Sequence, residues 1–257
     1  LKTKTLSEDA RSAGTILLET GAMLMSSGAS THRTRLTLER MARGLGYGLE
    51  LLITQRALML TIFEQDQPYF LSRLKRISPH GVNFRIVSGI SHLSWKVLEE
   101  NWTIAQIADE LKRLKSLPHY PRLLVLGLVG LAGAAFCRIF GGGYTEMAIA
   151  FIATITGLFV RQETLRIKFN PYLCVFFAAF AASLVAGLAE HFHIGADPDK
   201  AFATSVLFLV PGVPLINSVT DLMDGNIQNG IVRAVNGLMI SFSIAMGLFA
   251  VKMILNF

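Results

Sequence analysis

The sequence predicts an α-helical membrane protein in which a small α+β domain precedes five transmembrane helices, one of them broken at a PGVP motif. Three observations lead to this class. First, a mean hydropathy of +0.48 with only 16% charged residues among 257 is too apolar for one ordinary soluble domain. Second, the charge is uneven: residues 1–121 carry 16 Lys and Arg and 11 Asp and Glu, leaving 8 and 7 for the remaining 136 positions. Third, "FLVPGVPLINSVTDLMDGN", residues 208–226, begins like a membrane helix, meets two prolines three apart, and then presents an aspartate.

The polar part, 1–121, reads as a cytoplasmic α+β domain. Ser7, Glu8 and Asp9 precede "ILLETGAMLMSSG", a helix ending at Gly28, and Ser30 caps a second helix through Met41 that the glycines of "RGLGYG" close. "LELLIT" and "ALMLTIF", separated by "QR", read as paired strands, and "PYFLS" and "VNFRIV" as weaker strand candidates. Thr103 followed by Gln106 is a capping box that opens a helix toward Lys115. The leading residues run into an amphipathic pattern with no apolar signal-peptide core.

Two prolines in "SLPHYPR" mark the boundary to a membrane domain, 122–257. Its hydrophobic spans run roughly 122–140, 144–160, 171–189, 201–216 and 230–255, several of them near the lower length limit for crossing the hydrocarbon core. With the amino terminus inside, eight Lys or Arg near span ends lie on the cytoplasmic side against Arg138, Lys200 and Lys252 outside, and five spans put the carboxyl terminus outside. Small residues four apart, such as Gly130 with Ala134 and Ala182 with Ala186, suit close helix packing in lipid. The +6 net charge fits segments facing anionic lipid, and without a basic run interleaved with aromatics it does not indicate nucleic acid. Cys137 and Cys174 lie in apolar segments, so neither a disulfide framework nor a metal site is expected. Neither a GxSxG elbow nor a Walker loop is present, which removes the simplest routes to a hydrolase or an ATP-driven pump.

The broken span is where chemistry is expected. Pro211 and Pro214 lack amide hydrogens and should leave the carbonyls of Leu207 and Val210 without helical partners, while Gly212 lends the backbone freedom to separate two half-helices. Such a break is tolerated in a membrane where it is buried in protein or lines a cavity. Asn217, Asp221 and Asp224 follow at spacings of four and three, on one helical face, and Arg233 opens the next span as a natural ion-pair partner for Asp221. Gly225 and Gly230 allow the reversal between them. Arg161 and Asn170, at the cytoplasmic ends of spans two and three, are further pathway candidates, with interfacial anchoring as the plainer reading.

"LFLVPGVPLINSVTDLMDGNIQNGIVRAV" resembles the signature of the bacterial threonine/serine exporter family, and the YjjP-type component within it most closely. "LMSSGAS", "RGLGY", "HGVNFRIVSGISH", "YPRLLV" and "FIATITGLFVRQ" extend the likeness along the chain. The resemblance implies export of a small anionic or zwitterionic metabolite, no cofactor, and a separate small membrane subunit similar to YjjB, with self-association also open. It leaves dicarboxylate (succinate) and threonine or serine as alternative substrates. A membrane-tethered hydrolase using His32, His80 or His92, and a ligand-binding scaffold, are the competing classes.

Overall fold

The computed structural model describes residues 8–63, 70–77, 81–118 and 120–256. Ser7, residues 68–69 of "PYFLS", His80 and residue 119 of the linker lie outside the described residues. The chain forms two compact units, one of residues 1–118 with 213–234, the other of residues 119–212 with 235–257.

In the N-terminal unit, helix α1 spans Glu8–Ser26, with Glu8 and Asp9 in the first turn, where the helix dipole favours negative charge. It buries Ala10, Ala13, Leu17 and Leu24 along one face and stops at Gly28, whose φ of 89° only glycine adopts without strain. Helix α2, Thr31–Gly44, starts where the Ser30 side chain accepts a hydrogen bond from the Arg33 N–H. Strands β1 (Gly48–Thr54), β2 (Ala57–Phe63) and β3 (Phe70–Arg76) form an antiparallel meander in the order β1-β2-β3. Thr54 pairs with Ala57, so Gln55 and Arg56 make a two-residue turn, and Leu58, Leu60 and Ile62 alternate inward. On the inward face of β3, Arg73 donates to the Thr15 hydroxyl (2.6 Å) and Lys75 faces Glu19 (3.6 Å), so cations occupy positions that period-two patterning reserves for apolar residues.

Helix α3, Phe84–Glu99, corrects the strand reading of "VNFRIV". The Asn83 side chain accepts from the Ile86 N–H, and Val87, Ile90, Leu93 and Val97 recur at helical spacing, a periodicity that a six-residue window hides. Helix α4, Ile104–Lys115, opens with the Thr103–Gln106 capping box, both reciprocal bonds being present. Leu17, Leu24, Leu38, Leu60, Ile90 and Ile107 join these elements in one apolar core.

The second unit holds α5 (Arg122–Ile139), α6 (Tyr144–Arg166), α7 (Pro171–His191), the short α8 (Pro198–Thr204), a single 3-10 turn at Leu207–Leu209, and most of α10 (Ile227–Leu255). Helices α5, α6, α7 and α10 are each long and apolar enough to cross a membrane, and the pair Pro198–Leu209 with α9 (Gly212–Met223), bent by 59° at the break, makes a fifth only if it is counted as one span. The chain is a multi-pass membrane protein. Close helix contact comes from absent side chains: a Cβ on Gly157 would meet the Ala178 carbonyl oxygen at 2.8 Å, and one on Gly247 would meet Ala179 Cβ at 2.7 Å. Buried Glu146, in the first turn of α6, accepts from the Asp197 N–H (3.1 Å) and ties the loop after α7 to that helix start.

Candidate functional site

At the break, the carbonyls expected to be orphaned are satisfied locally. Leu207 O accepts from the Val210 N–H (3.2 Å) and Val210 O from the Gly212 N–H (2.9 Å). The 3-10 turn supplies the first bond, and Val210, with φ −57° and ψ 125°, takes the extended shape that a following proline requires. Pro214 falls in the first turn of α9, where a missing N–H costs nothing. Pro211 and Gly212 thus end one helix and start the next, and the Leu207 and Val210 carbonyls each have a backbone donor.

The carboxylate side of the motif lies in the N-terminal unit. Helix α9 and the first turns of α10 form a hairpin that reverses at Gly225, φ 77°. Its helices touch because Gly230 has no side chain: a Cβ there would lie 3.0 Å from the Ser218 carbonyl oxygen, and the Ser218 hydroxyl donates to the Gly230 carbonyl (2.8 Å). The shared face expected of Asn217, Asp221 and Asp224 is present and points at the start of α2. Asn217 Nδ2 donates to the Gly28 carbonyl (2.8 Å), Asp221 meets Thr31, and Asp224 Oδ2 lies 4.0 Å from His32 Nδ1.

Asp221 is fully buried and richly partnered. Its Oδ1 accepts from the Thr31 N–H (3.0 Å), and its Oδ2 accepts from the Thr31 hydroxyl (3.0 Å) and faces Arg233 Nε at 3.1 Å. Thr31 is the first residue of α2, so the carboxylate sits where free amides and the helix dipole receive an anion. Arg233, 5% exposed, also donates from Nε to Gln55 Oε1 (3.1 Å) and from a terminal nitrogen to the Ala29 carbonyl (3.0 Å). Asn229 Nδ2 bridges the Thr31 hydroxyl oxygen (3.1 Å) and the Ile53 carbonyl (2.9 Å). A buried ion pair survives only when its remaining hydrogen-bonding capacity is met, and this network meets it from α2, the β1–β2 turn and the α9–α10 hairpin.

The Asp221–Arg233 pair matches the sequence expectation, while Thr31, Gln55, Asn229 and the Ala29 carbonyl were not read as site groups. Asn229 stands four residues before Arg233, hence on its face, which was an available signal. The other candidates belong to the second unit. Asn170 caps α7, accepting from the Tyr172 N–H (2.9 Å). Arg161 lies half-buried on α6, its Nε without a hydrogen-bond partner among the described residues. No group of three or more potential metal ligands occurs among the described residues.

The ThrE family model, described as "Putative threonine/serine exporter", matches residues 15–255. The chain belongs to the threonine/serine exporter family. Within this family it is similar to the "Probable succinate transporter subunit YjjP" of Escherichia coli (strain K12), 31% identical with 88% of each chain covered. The protein of the same description from Klebsiella aerogenes is 28% identical, with 87% of this chain and 86% of that one covered. It is also similar to the "Threonine/serine exporter" of Corynebacterium glutamicum, 26% identical over 80% of this chain but only 43% of that protein. No solved structure matches. The matched region takes in both units and every residue of the Asp221 network.

Proposed function

We propose that this exporter-family chain is a subunit of an inner-membrane secondary exporter of small dicarboxylates such as succinate, working with a second small membrane subunit similar to YjjB. The amino-terminal unit would lie in the cytoplasm and the carboxyl terminus outside, following the excess of Lys and Arg at the inner span ends. The observation that carries the chemistry is the donor set around Asp221. A helix-start N–H, a hydroxyl and a guanidinium already hold one carboxylate, and they are the groups that a substrate carboxylate needs.

In this reading Asp221 is a resident carboxylate that keeps the donors of Thr31 and Arg233 occupied. Taking up a proton would neutralise it, free Arg233 for the substrate's carboxylate, and link proton movement to transport. Ionised Asp221 and a dianionic substrate repel each other, so the two would hold the site in turn. The likeness to two succinate transporter subunits over nearly the full length supports the dicarboxylate. The exporter from Corynebacterium supports the alternative, threonine or serine, whose ammonium could face Asp221 directly.

Counterflow in vesicles holding this chain together with a YjjB-type subunit tests the assignment. Labelled succinate should exchange and labelled threonine should not. Threonine exchange without succinate exchange replaces the substrate, and exchange of neither by a folded complex leaves a scaffold as the role.

A further inference from the structure

A cavity of about 360 Å³ opens on the N-terminal unit between α1, the end of β3 and α4. Lys75 and Arg76 of β3 and Lys112 and Lys115 of α4 line it, with Glu19 of α1 the one carboxylate among the described residues that line it. Buried Ile77 and Leu111 give it an apolar floor. The spacing in "LKRLK" places Lys112 and Lys115 on one side of α4, and "LKR" brings two more cations to the same opening from the end of β3.

The cations are not all balanced. Lys75 faces Glu19 at 3.6 Å, and Lys112 faces Asp109 at 3.5 Å. Arg76 and Lys115 have no ion-pair partner among the described residues. A half-enclosed cavity that gathers an excess of positive charge over an apolar floor suits an anion with a hydrocarbon body. Its volume lies at the lower end of the range for small-molecule sites, about 300–1,000 Å³.

We propose that this cavity binds a small organic dianion, a dicarboxylate or a phosphate monoester, between Arg76 and Lys115. The arginine fork takes one anionic group bidentately, the lysine supplies a point charge for the other, and the carbon skeleton rests on Ile77 and Leu111. Such a ligand joins β3 to α4 and stabilises the unit by mass action. The site shares no residue with the Asp221 network and stands whether or not the chain exports dicarboxylates.

The test uses the purified full-length chain in detergent, titrated calorimetrically with succinate and with glycerol 3-phosphate against sodium chloride at matched ionic strength. Saturable binding of at least one probe is expected, with a raised melting temperature. The Arg76→Ala/Lys115→Ala variant should melt as the unliganded parent does and bind at least tenfold more weakly. No saturable binding by the folded parent, or unchanged affinity in the variant, overturns the site. A third overturning result is cation-dependent binding seen only in nanodiscs containing anionic phospholipid, since the ligand would then be a headgroup. Loss of counterflow alone bears on the export assignment and not on this cavity.

Discussion

In the N-terminal unit Leu17, Leu24, Leu38 and Leu60 are fully buried, whereas the interior of the helical unit is built on Ala178, Ala179, Ala182 and Ala186. The first pattern is that of a core formed by the hydrophobic effect, where large aliphatic area removed from water stabilises the fold. The second is that of helices that gain little by leaving lipid for one another and cohere through close backbone approach. Buried charge follows the same division. The N-terminal unit encloses an ion pair within a network of amide, hydroxyl and carbonyl groups, while the helical unit keeps Glu146 at a helix start, on a backbone N–H.

Breaking the ion pair should produce the largest effect. Asp221→Asn or Arg233→Met alone leaves one buried partner uncompensated, and about 3–5 kcal/mol of stability should be lost. The double variant should recover most of it, and a thermal-melt double-mutant cycle measures the coupling. If the single variants melt like the parent, the network is not what holds the hairpin to α2. In the helical unit, Gly247→Leu drives a side chain against Ala179 and the α7 backbone and should cost about 1–3 kcal/mol, read as a lower melting temperature in detergent. A polar substitution at an outward position of the same helix, Phe249→Ser, should leave that detergent melt nearly unchanged and so sharpen the contrast.

Smaller effects belong to the surface of the N-terminal unit. Thr103→Ala removes the α4 cap and should cost about 1 kcal/mol, with faster amide exchange confined to the first turn of α4. Glu110, hydrogen-bonded by Arg113, has its carboxyl held below the usual carboxylate range. Its contribution is therefore present above its unfolded pKa and fades as the pH falls through the lowered folded value. Glu110→Gln should leave the melting temperature at pH 7 almost unchanged and slightly flatten its decline in acid, because exposed pairs contribute little.

Much of this architecture was legible in the sequence. Capping chemistry marked α2 and α4 because it is local, and the β1–β2 hairpin showed in two apolar runs separated by two residues. The Asp221–Arg233 pair was legible because α9 and α10 are adjacent in the chain and their spacing is helical. Thr31 and Gln55 were not, since they lie 190 and 178 residues from the partners they meet, and no periodicity in a single sequence encodes such a distance. Helix α3 was missed at its start, where "VNFRIV" is β-branched and only the later residues reveal the helical repeat. The carbonyls before Pro211 were expected to be free, because the rule for proline in a helix does not foresee that the preceding turn tightens to a 3-10 geometry.

The most direct test of the Asp221 account is succinate counterflow in vesicles containing the Asp221→Asn/Arg233→Met chain and its partner subunit. This variant is chosen because its melt should stay near that of the parent. The account predicts that the parent exchanges labelled succinate and that the variant, folded and inserted to the same level, exchanges it at least tenfold more slowly. Exchange at the parental rate by that variant would contradict it.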